Sequence, residues 1–439
     1  MKKSIFLILS FILISSSLKA QNVHNLDTHH KNAIIDTILT CFKINYVYPE
    51  TVISLKDSIT QRNRKGEYSK YFDLENFLAK LTSDIREITS DKHISIIYIE
   101  NTDYKSRQNK HSLLSDQLNE KKRKNFNFRK VEWLPGNVGY LRFDIFEDPQ
   151  YAGETAASAI NFISNCNAII IDLRYNYGGE QQMVRYLASY FFTEPTLLNS
   201  LYFTKQDSVV QSWTDSYIPS KKLIDKYIYI LTSSNTASGA EAFTYLLKNY
   251  KIATIIGENT RGAAHWTEYF YFPAQKIEIK IPVARPINPV TKTNWEKIGI
   301  KPDIEIPEYK ALDQAYILAL EQLIQTNSDK SKLHELEWYK MIAVERFKNE
   351  TISETELYDY AGEYEELRFL VKDNTLYWHQ GENEEFVLIP LSRDLFTFDD
   401  SDDYVVKFIR NKKGIISGYQ LLIKGRDENT IHDKIEDTE

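Results

Sequence analysis

Residues 227–266 read YIYILTSSNTASGAEAFTYLLKNYKIATIIGENTRGAAHW. The stretch opens with an apolar run at 227–231, rich in isoleucine and tyrosine, which suits a buried strand. A turn of small polar residues follows at 232–237. Ser238 then begins an amphipathic segment whose Ala242, Phe243, Leu246 and Leu247 share one side. A second buried strand, 253–256, ends in Gly257-Glu258. Strand, tight turn, helix and strand make a βαβ unit, the signature of an α/β fold.

A serine at the first turn of such a helix has a chemical use. The N-terminal N–H groups of a helix lack intrahelical partners, and the dipole adds partial positive charge there. A hydroxyl at that point can attack a carbonyl while neighbouring N–H groups hold the oxyanion. Serine is also a favoured N-cap with no further role, and this segment alone leaves both readings open.

A second stretch, 167–180, reads NAIIIDLRYNYGGE. Its strand, 168–171, is continuously apolar, as parallel sheets prefer. Asp172-Leu173-Arg174 ends the strand, where Asp172 and Arg174 are expected to form a structural ion pair. Gly178-Gly179 then makes a turn whose N–H groups can approach a ligand. Open α/β sheets bind ligands beyond the C-terminal ends of their strands. The turns at 175–179 and 232–238 both lie at such ends.

DLRYNYGG at 172–179, TSSNTASGAEAF at 232–243 and GENTRGAAH at 257–265 follow in that order. Together they resemble the C-terminal-processing (tail-specific) serine peptidase family, over residues 131–307. The resemblance implies an α/β fold with a crotonase-like ββα core. It makes Ser238, three residues before Glu241, the nucleophile. One branch of the family pairs this serine with a lysine just past the strand that carries the Gly-Glu pair. Here that place reads Arg261-Gly262-Ala263-Ala264-His265, with no lysine. A serine hydroxyl still needs a base. The other branch resembles the core of the tricorn protease and takes a histidine from an upstream Asp-x-His and a glutamate from downstream. Asp91-Lys92-His93 fits the first, and Trp295-Glu296 before Gly299-Ile300-Lys301-Pro302-Asp303 fits the second. The implied set is Ser238, His93 as general base and Glu296 orienting it. Gly178 or Gly179, with Gly239, is the expected oxyanion hole. His265 stands as a substrate contact or rival base. Lys92 occupies the place of the branch's hydroxyl residue; as an auxiliary base it suffers from lying next to His93, since neighbours in an extended segment point to opposite sides.

Residues 1–20 carry Lys2-Lys3, an apolar run at 5–14 and Ser15-Ser16-Ser17-Leu18-Lys19-Ala20. That is a signal-peptide pattern, and the run is too short for a permanent span. The expectation is an exported protein, periplasmic or extracellular, with no stable membrane span. Removing residues 1–20 takes away three lysines and moves the formal charge from −7 to −10. Nucleic acid is thereby disfavoured as a partner. The partner expected is a peptide or protein substrate; oligomeric state is not readable. No CxxC pair, His-x-x-His cluster or phosphate loop is present, so neither metal nor cofactor is expected. Two cysteines occur, Cys41 and Cys166, the latter expected as a buried thiol beside a strand.

Helices are expected at 24–46 and 72–88, from apolar faces at Ile34, Ile35, Ile38, Leu39 and at Leu74, Leu78, Leu81, Ile85. The polar stretch 105–129 is a connector too short for the peptide-binding PDZ domain of some relatives. Residues 351–426 hold short aromatic strands broken by turns, an antiparallel barrel or sandwich, followed by a charged tail. The expected organisation is a signal peptide at 1–20, helical domain and connector at 21–128, peptidase core at 129–310, helical linker at 311–350 and β domain at 351–430. The expected function is an exported serine peptidase working through an acyl-enzyme. The alternative, from another class, is an inactive ligand- or peptide-binding protein on the same fold.

Overall fold

The computed structural model describes residues 26–101, 110–365, 367–381, 384–426 and 430–435. The expected signal peptide, and part of the connector, lie outside them. Near the N-terminus, Asp27 caps α1 (Thr28–Asn45) by accepting from His30 N at 2.8 Å. Pro49 opens α2 (Pro49–Arg64), a helix absent from the sequence reading. Its buried stripe is only Val52, Leu55 and Ile59, too narrow to stand out among charged residues. Asp73 caps α3 (Leu74–Thr89), which buries Leu78, Leu81 and Ile85.

These helices share a core with a five-stranded sheet. Strand β1 (Ser95–Tyr98) pairs antiparallel with a later long strand, Ser95 opposite Lys280 and Tyr98 opposite Ile277. Phe42, Leu55 and Phe77 pack there with Ile96, Ile279 and Ile281. The segment before β1, Asp91–His93, is thereby fastened to the rest of the molecule.

The connector contains α4 (Lys110–Arg123). Then β2 (Phe128–Leu134) and β3 (Val138–Phe143) form a hairpin, followed by α5 (Pro149–Ile163), β4 (Ala168–Asp172) and α6 (Gln181–Ala188). A second hairpin is β5 (Leu197–Phe203) with β6 (Ser208–Trp213). The βαβ unit follows as β7 (Tyr227–Thr232), α7 (Gly239–Asn249) and β8 (Ala253–Gly257). Next come the paired strands β9 (Trp266–Phe272) and β10 (Ile277–Ile287), then β11 (Ile304–Glu305).

The central sheet runs β11-β8-β7-β4-β3-β2, parallel except for the β2–β3 edge. Side chains alternate across it. Leu141, Ile169, Ile171, Ile230 and Ile255 face α5, α6 and α7; Tyr140, Ile170, Leu231 and Ile256 face α8 (Ala311–Thr326) and α9 (Lys330–Lys348). Both faces are covered, which is why the strands read as unbroken apolar runs.

After α10 (Glu354–Tyr360) come eight strands, β12 (Gly362–Tyr364), β13 (Leu367–Lys372), β14 (Thr375–Gln380), β15 (Glu384–Ser392), β16 (Leu395–Phe398), β17 (Ser401–Arg410), β18 (Ile416–Ile423) and β19 (Ile431–Asp433). Each pairs antiparallel with the next. Tyr364 bridges Lys434, and Ile435 N donates to Glu363 O at 2.9 Å. Those bonds bring the last strand back to the first, so the unit is close to a barrel rather than a sandwich. Part of the expected charged tail is therefore structural: β19 lies within it. Phe369, Phe396, Phe408 and Tyr419 fill the interior, with Tyr360 of α10 among them. No described helix is long and apolar enough to cross a membrane. Cys41 and Cys166 are both buried and free.

Candidate active site

The two turns anticipated at the ends of β4 and β7 are joined to each other. Thr236 Oγ1 donates to Leu173 O at 2.8 Å, Ala237 N to Asn176 O at 3.1 Å, and Ser233 Oγ to Arg174 O. Beneath them Asp172 and Arg174 form the expected ion pair, with Nη2 2.6 Å from Oδ2 and both side chains buried. Tyr140 Oη adds a bond to Asp172 at 2.7 Å, and Arg174 Nη1 reaches Glu308 O at 2.6 Å. The pair is a structural rivet.

Ser238 sits on this platform at φ 52° and ψ −117°. A β-substituted residue held there stores strain of about 1–3 kcal/mol, which persists only when the surroundings fix it. One such restraint is Gly178, at φ +101°. A Cβ on Gly178 would fall 2.7 Å from both Gly239 N and Ser238 Cβ, so the two turns touch backbone to backbone. The N–H of Gly178 is donated to Asn176 Oδ1 at 2.9 Å. Gly179 is anchored differently: Phe146 N bonds Gly178 O at 2.8 Å and Glu180 N bonds Phe146 O at 2.7 Å. A Cβ on Gly239 would lie 3.1 Å from Gly179 N, so the N–H groups of Gly179 and Gly239 are neighbours at the head of α7. Of the three glycines expected as oxyanion donors, Gly178 has its N–H bonded within its own turn.

Glu241, one turn into α7, is fully buried. It accepts from Ser238 N (2.9 Å), Thr260 Oγ1 (2.5 Å), Gly262 N (2.6 Å) and Ala263 N (2.9 Å). Burial pushes its carboxyl above the ordinary range, and these bonds oppose the shift. It fixes the loop 260–265 against the Ser238 turn. The sequence reading used Glu241 only as a landmark, although a glutamate at N3 after a serine cap is a recognisable reciprocal cap.

That loop delivers His265 to a second cluster. Ser90, left-handed at φ 55°, ends α3 and turns Asp91 inward, where it is fully buried. Asp91 Oδ1 accepts from His93 N at 3.0 Å and lies 3.4 Å from His93 Nδ1. Asp91 Oδ2 lies 2.8 Å from His265 Nδ1 and accepts from Tyr46 Oη at 3.4 Å. The other nitrogen of His265, Nε2, is 3.2 Å from Tyr48 Oη. Glu296 Oε2 accepts from Ala264 N at 2.7 Å and lies 3.5 Å from His265 Nδ1. Burial acts to raise the Asp91 carboxyl, but bonds from His265 and His93 outweigh it and hold Asp91 well below the usual carboxylate range. Burial pushes Glu296 up, with His265 opposing.

The structure thus brings His93, His265 and Glu296 together, and adds Asp91. The carboxylate against His93 is Asp91; the contact of Glu296 is with His265. Both nitrogens of His93 are buried and make no hydrogen bond, whereas both nitrogens of His265 are engaged. Lys92 points away, its Nζ donating to Arg261 O at 2.7 Å. Arg261 N in turn donates to Thr236 O at 3.0 Å, which ties the His93 segment to the Ser238 turn. Among the described residues no hydrogen bond joins the Ser238 hydroxyl to either imidazole. Asp91 was legible only as part of Asp-x-His; Tyr48, beyond α1, gave no signal at all.

A family model described as Peptidase family S41 matches residues 137–306. Another, described as the N-terminal domain of Peptidase_S41 in eukaryotic IRBP, matches residues 18–126. A "Probable CtpA-like serine protease" of Staphylococcus aureus (strain COL) is 27% identical over 198 residues, 44% of this chain and 38% of that protein. "Carboxyl-terminal-processing peptidase 2, chloroplastic" of Arabidopsis thaliana is 25% identical over 183 residues, 40% of this chain and 34% of that protein. The chain therefore spans well under half the length of these curated relatives. Among solved structures, a "photosystem II D1 C-terminal processing protease" is 17% identical at a TM-score of 0.35, covering 52% of this chain and 53% of that one.

Proposed function

The chain belongs to peptidase family S41, and on that premise we propose that it is an exported serine peptidase acting on peptide or protein substrates. Ser238 attacks the carbonyl carbon of the scissile bond. His93 takes the hydroxyl proton as the Oγ–C bond forms, and the N–H groups of Gly179 and Gly239 hold the oxyanion. When the C–N bond breaks, His93 returns the proton to the leaving amine. Water, deprotonated by the same imidazole, then hydrolyses the acyl-enzyme. Asp91 orients His93 and stabilises its charged form. Glu296, assigned that task by the family pattern, acts one step behind, through His265 and the backbone of Ala264. Export rests on the pattern of residues 1–20.

One observation carries the choice of base: His93 Nε2 is buried with no partner while Nδ1 faces Asp91 Oδ1 at 3.4 Å, whereas both ring nitrogens of His265 are taken, by Asp91 and Tyr48. The missing bond from Ser238 to an imidazole is consistent with a site that tightens on substrate, as catalytic hydrogen bonds often do.

Fluorophosphonate labelling of the mature protein tests this. Wild type should label, Ser238→Ala should not, and His93→Ala should lose labelling by about 10²–10⁴-fold. Ser238→Ala should remain folded, since it removes one oxygen. Loss in Ser238→Ala but not in His93→Ala moves the base to His265. If wild type neither labels nor cleaves peptides, the ligand-binding alternative takes over.

A further inference from the structure

Asp91, His93, His265 and Glu296 each offer one ligand atom, and the four atoms lie within 4.8 Å of one another. The reaction above uses His93 and Asp91. It gives a second imidazole and a second carboxylate, packed into the same spot, no direct part in proton transfer. Two carboxylates this close need positive charge: Asp91 is fully buried and the Glu296 side chain is 6% exposed. Among the described residues no lysine or arginine forms an ion pair with either carboxylate; Lys280 of β10 acts on Asp91 only through space, and Arg285 lies over Tyr48. Lys92 Nζ bonds a carbonyl, and the Arg261 guanidinium lies over Tyr177, 5.8 Å from its centroid.

The cluster also holds unused lone-pair positions. Nε2 of His93 and Oε1 of Glu296 are buried without a partner, Nδ1 of His93 has only Asp91 Oδ1 at 3.4 Å, too long for a hydrogen bond of good geometry, and the His93 side chain is only 9% exposed. Unpaired buried polar atoms are costly, so two of them beside a loosely held third call for an occupant. The surroundings are arranged as outer-shell partners are: Tyr48 Oη holds the far nitrogen of His265, Ala264 N holds Glu296, and His93 N and Tyr46 Oη hold Asp91.

We propose that this cluster is a Zn²⁺ site, and that the ion shuts off the serine chemistry by taking the imidazole of His93. Two imidazoles and two carboxylates suit a borderline ion such as zinc, whereas calcium and magnesium favour oxygen alone. Bonds of about 2.0–2.2 Å in a tetrahedron put ligand atoms roughly 3.3–3.6 Å apart. Asp91 Oδ1 to His93 Nδ1 (3.4 Å) and His265 Nδ1 to Glu296 Oε2 (3.5 Å) already have that spacing; Asp91 faces His265 through its other oxygen, Oδ2 (2.8 Å), so its carboxylate must turn to offer one atom, and the wider separations, up to 4.8 Å, must close. The metal site stands on this geometry; its inhibitory effect rests on the peptidase reading.

Calorimetric titration of ZnCl₂ into full-length mature protein, stripped with EDTA and dialysed, tests the first part. One ion per chain is expected. Tyr48→Phe, which touches no proposed ligand atom, should weaken binding about 10–100-fold; His265→Ala and Asp91→Asn should weaken it further. No binding by wild type overturns the site, as does binding that all three variants leave unchanged, an adventitious ion only. Fluorophosphonate labelling tests the second part: it should fall with zinc occupancy and return on adding EDTA. Labelling that persists at saturating zinc overturns the shut-off. A wild type that binds zinc yet never labels would sink the peptidase reading and leave the metal site intact.

Discussion

Gly178→Ala is the substitution that asks most of the site's geometry. The added Cβ would stand 2.7 Å from Gly239 N, 2.7 Å from Ser238 Cβ and 2.8 Å from Ala237 O. Ordinary contacts are about 3.5–4.0 Å, and none of these three atoms can swing away by a rotamer change. Relief requires the turns after β4 and β7 to part by roughly 0.7 Å or more. The φ of +101° adds a backbone penalty of about 1–3 kcal/mol. Overpacking adds about 1–3 kcal/mol. A total of about 2–6 kcal/mol is a large part of the 5–15 kcal/mol that holds a typical domain together. Shifting Ser238 and the Gly179–Gly239 pair by that distance should also cost about 10²-fold in reaction rate. Gly381→Ala is the control: its φ is +69° and nothing lies within 4 Å of the new Cβ, so it carries backbone strain without the clash. Urea denaturation and the fluorophosphonate labelling rate would be measured on both, on the folded fraction. If Gly178→Ala is no less stable than Gly381→Ala and labels as fast as wild type, the backbone contact between the two turns does not hold the nucleophile.

Asp172→Asn removes one half of a buried ion pair and leaves Arg174 charged in the interior; about 3–5 kcal/mol should be lost in chemical denaturation, and a loss under 1 kcal/mol would show that Arg174 finds water. Phe369→Ala opens the middle of the barrel, where Phe369 is fully buried against Tyr364, Phe408 and Tyr419, and should cost about 3–5 kcal/mol in the transition that unfolds the barrel. Burial pushes the Cys41 thiol up to about 11, so the folded protein keeps it protonated at pH 8. Ellman's reagent should then react slowly at pH 8, faster as pH approaches 11, and with both thiols at once after denaturation; a rapid native reaction of Cys41 would contradict its burial.

The local chemistry was legible because it follows from near neighbours along the chain. The unbroken apolar runs at 168–171 and 227–231 specify strands covered on both faces, and Ser238 after a small-residue turn specifies a helix start with unsatisfied N–H groups. The resemblance, carried by short motifs in a fixed order, indicated the family. What the sequence hid depends on contacts across long separations. Asp91 and His265 are 174 residues apart, and only the pairing of β1 with β10, with α1–α3 packed against that sheet, brings them to 2.8 Å. The same tertiary contact brings Glu296 to His265 and not to His93, and it gathers four side chains capable of holding a metal that show no metal-binding spacing along the chain. The different settings of Gly178, Gly179 and Gly239 were equally invisible. Three glycines are interchangeable as letters; the bond from Gly178 N to Asn176 Oδ1 separates one from the other two, and the Asn176 amide is itself held by donating to Phe143 O on the neighbouring strand. Sequence by itself determined the strands and helices of the βαβ core and the nucleophile's candidate, though not α2 or β19; the packing of sheet on helix decided which groups stand in the neighbouring cluster, because proximity in a fold is set by buried surface and not by order along the chain.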